Sequence, residues 1–137
     1  MRRPFLLAFF AYLIPTFATG FFWHMVVFGD VYRELNVYRE NPLVPLGFTS
    51  MLIQGILFAW AFPRLFNTRR DAWRHSAFAS GVLFALLSWS FTTVAAAAKY
   101  PMASVEQFVA IETGYTVLQF LLVAPLMALV WRDPAAA

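Results

Sequence analysis

Four long apolar stretches divide this chain, and charged connectors separate them. The stretches cover residues 4–29, 45–62, 76–98 and 105–131. A helix rises about 1.5 Å per residue, so about 20 apolar residues cross the roughly 30 Å of hydrocarbon in a bilayer. Backbone polar groups in lipid must be bonded within the chain, which helices achieve and open sheets do not. The sequence therefore predicts an all-α fold: a transmembrane four-helix bundle forming a single domain over residues 1–137.

The composition favours lipid as the surrounding solvent. Hydrophobic residues make up 61% of the chain and charged residues only 12%, about half the charged fraction of a soluble domain. A small soluble domain could not bury so much apolar surface. Arg2 and Arg3 precede an apolar stretch that is too long for a signal peptide, so we expect a retained first span. These features predict a multi-pass protein of the cell's inner, or plasma, membrane, with the lipid bilayer as its partner.

The basic residues predict the orientation of the spans. With the N-terminus inside, seven basic residues lie in cytoplasmic segments: Arg2, Arg3, Arg64, Arg69, Arg70, Arg74 and Arg132. Three lie outside (Arg33, Arg39 and Lys99), together with the acidic residues Asp30, Glu34, Glu40 and Glu106. Cytoplasmic connections carry an excess of Lys and Arg. Both termini are therefore expected in the cytoplasm, and membrane orientation explains the net charge of +3 better than nucleic-acid binding does.

Glu112 is the most informative polar residue within a span. A charged group near the bilayer centre costs a few kcal/mol, so this carboxyl should face protein or water, or be protonated. Tyr115 and Gln119 follow it on the same face of the fourth helix. The three residues predict a polar stripe that points into the bundle, where it would bind a proton, a cation or a substrate. The alternative is a buried carboxyl that a neighbouring helix satisfies.

Two further residues are candidates for the same cluster. His24 shares a helix face with Thr16 and Gly20, and alternating spans place His24 and Glu112 in the outer half, where they could pair and relay protons. The alternative for His24 is an interfacial position against lipid headgroups. Gln54 of the second span is the best of the remaining polar residues to join Glu112. Its alternative role is ordinary hydrogen bonding between helices.

A short repeat marks the first outer connector. Val31-Tyr32-Arg33-Glu34 is followed by Val37-Tyr38-Arg39-Glu40. The repeat suggests a surface on which Tyr32, Arg33, Tyr38 and Arg39 dock a partner. The alternative is an ordered interfacial loop, with its tyrosines at the headgroups and its charges in water.

Several chemistries lack their characteristic residues. The chain has no cysteine and only two histidines, and the predicted spans place His24 and His75 on opposite sides of the membrane, where they cannot ligate one haem. No metal-binding or nucleotide-binding pattern occurs in the sequence, and no serine has an evident base. We therefore predict no cofactor, no metal and no enzyme activity.

The segment Glu112-Thr113-Gly114-Tyr115-Thr116-Val117-Leu118-Gln119-Phe120 resembles the last helix of a bacterial family of small four-helix membrane proteins, a domain of unknown function. The end of the first span, Phe22-Trp23-His24 followed by Phe28-Gly29, is similar to that family as well. The resemblance implies the four-helix membrane fold and no particular activity. Glu112 and the repeat in the first outer connector are not features of the family.

Three functions remain in competition. The first is an accessory or interaction subunit of a larger membrane complex, consistent with the small size and the tyrosine-rich connector. The second is a small transporter or channel, working as a homodimer, with a polar site around Glu112. The third is an enzyme or binder that acts on a lipid or quinone at the outer face.

Overall fold

The computed structural model describes residues 2–39 and 41–132, and of Arg2 only the backbone. Glu40, which closes the predicted repeat, and the short polar tail 133–137 lie outside the described residues. Helix α1 covers Arg2–Phe21 and continues as a π-helical segment, Phe22–Val27. The short helix α2 covers Gly29–Glu34, and α3 covers Val44–Leu65. Helix α4 covers Trp73–Trp89 and continues through a second π-helical segment, Ser90–Val94, into the short α5, Ala95–Ala97. Helix α6 covers Val105–Trp131.

Four of these stretches are long and apolar enough to cross a membrane: Arg3–Val27, Val44–Leu65, Trp73–Ala97 and Val105–Trp131. The predicted all-α fold with four such helices is confirmed. Their outward faces carry large apolar side chains; Phe78 is 75% exposed and Phe91 is 73% exposed. Apolar patches of this kind are unusual on a soluble monomer and fit contact with lipid.

Several boundaries differ from the sequence prediction; the third span, for example, begins at Trp73 rather than at residue 76. The second span was expected to end at Phe62, but α3 continues through Pro63 to Leu65. A proline in the last turn removes one backbone donor but leaves most of the helix's hydrogen bonds intact, so the helix need not stop there. The first connector was expected to be a loop, but its first residues form α2. Burial of Tyr32 and Leu35 against the bundle accounts for this extra helix.

Helix α6 packs along both α1 and α4, and α1 also packs along α3. The end of the bundle next to the connection 66–72 is held by a cluster of aromatic and aliphatic side chains, which we call the aromatic half; its buried members include Phe58, Phe62, Phe84, Phe120, Val123 and Met127. The rings of Phe58 and Phe84 stack with centroids 4.2 Å apart, which joins α3 to α4 at this depth. The aromatic half therefore closes the bundle on all four helices.

The other end of the bundle, around His24, Tyr32 and Glu112, we call the polar half. Here α2 covers the ends of the long helices, and Tyr32, Leu35 and Phe108 form a second buried cluster. Helix α3 keeps a contact with α1 in this half, where the rings of Phe17 and Phe48 lie 5.9 Å apart between centroids, but it separates from α4, and every residue from 41 to 50 is exposed. The bundle is therefore closed in the aromatic half and open between α3 and α4 in the polar half.

Candidate functional site

His24 reaches the bundle interior from α1 and its π-helical continuation. Tyr12, Thr16, Gly20 and His24 follow one another at intervals of four residues, and the first three are buried. The Nδ1 atom of His24 lies 2.9 Å from the carbonyl oxygen of Gly20, one turn earlier. π-helical segments often occur at functional sites, where they alter the direction of side chains. The hydrogen bond between Nδ1 and Gly20 fixes the His24 ring so that Nε2 points across the bundle.

Glu112 meets His24 from the first third of α6. Its side chain is buried, and its Oε1 atom lies 3.1 Å from His24 Nε2. The hydroxyl of Tyr32, on α2, donates a hydrogen bond to the same Oε1 atom. The pairing of His24 with Glu112 that alternating spans predicted is therefore present, and α2 adds a third group to it.

The partners of the His24 ring restrict where its protons can be. A carbonyl oxygen only accepts hydrogen bonds, so Nδ1 must carry a proton that it donates to Gly20. The contact between Nε2 and Oε1 then needs one more proton. That proton gives either an imidazolium beside a carboxylate or a neutral imidazole beside a carboxylic acid. The pair therefore shares one proton with no net charge, and its charge changes by one when a further proton enters or leaves.

Tyrosine rings surround the pair. The Tyr115 ring meets the His24 ring edge to face at 4.5 Å between centroids, and Tyr32 stacks on Tyr38 at 5.0 Å. Burial, reinforced by the hydrogen bond to Glu112, raises the pKa of Tyr32. Burial, followed by the charge of Glu112, also raises the pKa of Tyr38. Both phenols in the connector therefore remain protonated, and that of Tyr32 donates a hydrogen bond to Glu112.

A second polar layer lies deeper in the bundle. The Tyr12 hydroxyl donates to Gln54 Oε1 at 2.6 Å, which links α1 to α3. Gln119 Nε2 donates to Thr16 Oγ1 at 3.1 Å, which links α6 to α1. The two predicted glutamines are therefore held by α1 and make no direct hydrogen bond to Glu112 within residues 2–39 and 41–132.

Two cavities flank the His24–Glu112 pair. One, of about 470 Å³, lies toward the connectors and is lined by residues that include Tyr38, Arg39 and Tyr100. The other, of about 240 Å³, lies deeper and brings all five predicted binding residues to one space: His24, Gln54, Glu112, Tyr115 and Gln119. His24, Thr92 and Glu112 line both cavities. The pair therefore stands between two spaces that could hold water or a small ligand.

The connector residues proposed for docking separate into two groups. Tyr32 is fully buried and bonded to Glu112, and Tyr38 is half-buried against it. The expectation that these tyrosines lie at the headgroups or on a docking surface is wrong for Tyr32, because the buried Glu112 carboxyl draws its hydroxyl inward. Arg33 and Arg39 are exposed, and a docking role for these two stays a prediction.

Sequence reasoning missed three residues of the site. Tyr12 precedes Thr16 by four residues, so extending the polar face of the first span by one turn would have found it. Thr92 of the third span was not among the predicted site residues, yet it lines both cavities. The inward position of Tyr32 has no signal in the sequence, because it depends on the fold of α2 back over the bundle.

Within the part of the chain that the structure describes, no three His, Asp or Glu side chains converge as a metal site would require. The comparisons with family models, curated proteins and solved structures find no match for this chain. The resemblance of residues 112–120 to the four-helix bacterial family stays a prediction.

Proposed function

We propose that the protein is a small membrane transporter that moves protons, and that the His24–Glu112 pair is its proton-binding site. The observation that carries this proposal is the 3.1 Å contact between His24 Nε2 and Glu112 Oε1, at the meeting point of two cavities. Because Nδ1 is committed to Gly20, the pair can take up one further proton while Nε2 stays bonded to Oε1, whereas release of the shared proton leaves two acceptors facing each other and opens the contact. The third partner, Tyr32, stabilises the carboxylate form by donating a hydrogen bond.

Under the proposed topology, the His24–Glu112 pair lies toward the outer side of the membrane. Seven basic residues would lie in cytoplasmic segments and three outside, which favours cytoplasmic termini. The polar half then lies in the outer leaflet, and the cavity lined by Tyr38, Arg39 and Tyr100 faces the outer solution. A proton from that side reaches His24 and Glu112 without crossing hydrocarbon.

The aromatic half favours a carrier over an open channel. Phe58, Phe84 and Phe120 are each 6% exposed or less, and their rings contact one another. Such packing fills the space between α3, α4 and α6 at this depth with apolar side chains, which offer water no hydrogen-bond partner. Proton movement to the cytoplasm therefore requires the aromatic half to rearrange after the pair has been loaded.

Proton flux into vesicles tests the proposal. The full-length protein is reconstituted with a trapped pH-sensitive dye, and a potassium gradient with valinomycin drives protons inward. We expect faster acidification than in protein-free vesicles, and Glu112→Gln should remove at least about nine-tenths of the excess rate, as the loss of a proton-transfer group commonly does. Glu106→Gln is the matched control, since Glu106 is exposed and lies six residues earlier. His24→Asn, with the exposed His75→Asn as its control, should follow the same pattern.

Equal rates for native and protein-free vesicles would overturn the proposal. It would also fail if Glu112→Gln and Glu106→Gln slowed acidification to the same extent, because the flux would then not depend on the buried carboxyl.

A second candidate function is an accessory subunit of a membrane complex. The exposure of every residue from 41 to 50 favours it, because a partner or a second copy could cover this part of α3. Crosslinking from Ser50→Cys in native membranes tests it. The expected product is a defined adduct that the same substitution at the exposed Phe78 does not give, and the absence of such an adduct would remove this candidate.

A further inference from the structure

The cavity of about 240 Å³ is built from all four long helices. Its floor consists of side chains from α1 and α6, including the His24–Glu112 pair. One wall is the part of α3 that separates from α4, with Gly47, Ser50 and Gln54. The facing wall consists of Ser88 on α4 and Thr92 on its π-helical continuation. The cavity is therefore the space left where α3 and α4 part.

This cavity opens laterally, between α3 and α4. Phe58 and Phe84 join α3 to α4 in the aromatic half, but Gly47 and Ser50 on one wall and Thr92 on the other are all exposed. If the helices span a bilayer, a gap between two spans opens toward the acyl chains. A molecule dissolved in the membrane can therefore enter between α3 and α4 without passing through either aqueous phase.

The polar groups of the cavity are incompletely used. Gln54 accepts from Tyr12 through Oε1, and its amide nitrogen has no partner within the described residues. The Ser50 and Ser88 hydroxyls likewise donate to no group in residues 2–39 and 41–132. Polar groups that line a cavity within a membrane normally find partners. These three groups thus offer hydrogen bonds to a bound molecule.

Charge and size restrict what that molecule can be. Among the described residues that line the cavity, only His24 and Glu112 can carry a charge. They share a proton with no net charge, so a phosphate headgroup would find no arginine or lysine among these lining residues. The volume of about 240 Å³ equals about eight water molecules at about 30 Å³ each. This holds one ring or a glycerol-sized group, while a long chain must remain in the gap.

We propose that this cavity binds the neutral, oxygen-bearing head of a membrane-dissolved amphiphile, whose apolar tail leaves between α3 and α4. The Gln54 amide and the serine hydroxyls donate to the carbonyl or hydroxyl oxygens of the head. This proposal extends the proposed transport function. It rests on that function for the claim that an exchangeable proton lies beside the bound head. A quinone and a neutral glycerolipid share this chemistry.

Binding of two probes to the detergent-solubilised full-length protein tests the proposal and separates the sources. The probes are a ubiquinone with a short isoprenoid tail and a short-chain diacylglycerol, with tryptophan fluorescence quenching or calorimetry as the readout. We expect saturable binding of one probe. Gln54→Leu should weaken it about tenfold, the factor that one lost hydrogen bond commonly causes. Ser50→Trp should weaken it more by filling the gap, and the matched control Ile53→Trp, at an exposed position of α3 outside the cavity, should not.

The proposal is overturned if neither probe binds, if an anionic phospholipid binds more tightly than both, or if Ser50→Trp binds like the native protein. These results are independent of proton flux, because Ser50→Trp leaves His24 and Glu112 in place. Probe binding without any Glu112-dependent flux would overturn the transport function and retain the head site. Glu112-dependent flux without probe binding would overturn the head site and retain the transport function.

Discussion

The aromatic and polar halves of this bundle are built from the same four helices, but their side chains interact in different ways. In the aromatic half, the buried hydroxyls of Ser76 and Ser80 bond to backbone carbonyls on the same side of the bundle, and aromatic rings fill the space between helices. In the polar half, side chains from α1, α2, α3 and α6 bond to one another across the bundle and leave two cavities. A fold under selection for packing alone would not keep a carboxyl and an imidazole in that position, because polar groups within a membrane are costly.

This difference indicates which half of the bundle supplies stability and which supplies chemistry. Packing in the aromatic half should supply most of the stability, and the polar half should supply the chemistry. Substitutions matched between the two halves can separate these contributions.

Phe62→Ala should have the largest effect on stability. Phe62 is 1% exposed and contacts Phe66 at 5.2 Å between ring centroids. Removing a buried aromatic ring costs about 3–5 kcal/mol. Unfolding in mixed detergent micelles, followed by circular dichroism, measures the change. Phe78→Ala, at a position that is 75% exposed, should change the free energy of unfolding far less, and equal losses in the two variants would show that the aromatic half is not the stabilising core.

Tyr32→Phe should have the next largest effect, in the polar half. The variant keeps the ring and removes the donor to Glu112, and a hydrogen bond to a charged group contributes about 1.5–3 kcal/mol. Tyr38→Phe is its control, because Tyr38 stacks on Tyr32 and its hydroxyl has no partner within the described residues. The same unfolding assay applies. A loss for Tyr38→Phe as large as that for Tyr32→Phe would mean that the loss does not report the hydrogen bond from Tyr32 to Glu112.

Two glycines of α3 sharpen the contrast, because the same substitution should have opposite signs at the two positions. A Cβ atom on Gly55 would lie 3.0 Å from the Tyr12 ring and 3.1 Å from the Phe9 ring, so Gly55→Ala should destabilise by about 1–3 kcal/mol, less what the helix gains. A Cβ atom on Gly47 would meet nothing within 4 Å. Gly47→Ala should therefore stabilise by up to about 1 kcal/mol through helix propensity. If Gly47→Ala destabilised instead, α3 would not be separated from α4 in the polar half.

Sequence patterns were sufficient for the helices and for one contact of the site. The lengths of the apolar stretches predicted the four spans, and the direction of alternate helices brought His24 within reach of Glu112. The patterns could not supply the position of Tyr32, because its burial depends on how α2 folds over the bundle. Nor could they supply the gap beside Ser50. A helix face that borders a gap open to lipid has the same composition as a lipid-facing surface of a closed bundle.

At alkaline pH, Tyr32 again distinguishes the polar half. The folded chain holds the pKa of Tyr32 above its ordinary value of 10.0, because burial and the Glu112 carboxylate disfavour the phenolate. The folded state therefore keeps a proton that the unfolded state releases. This contribution is complete below about pH 10 and is lost as the pH rises further, by up to about 1.4 kcal/mol per pH unit. Unfolding measured from about pH 9 to about pH 11 should show this decline. Tyr32→Phe should decline less steeply, because it has no phenol to ionise at that position, whereas an equal slope in the two proteins would mean that Tyr32 is not held protonated by the fold.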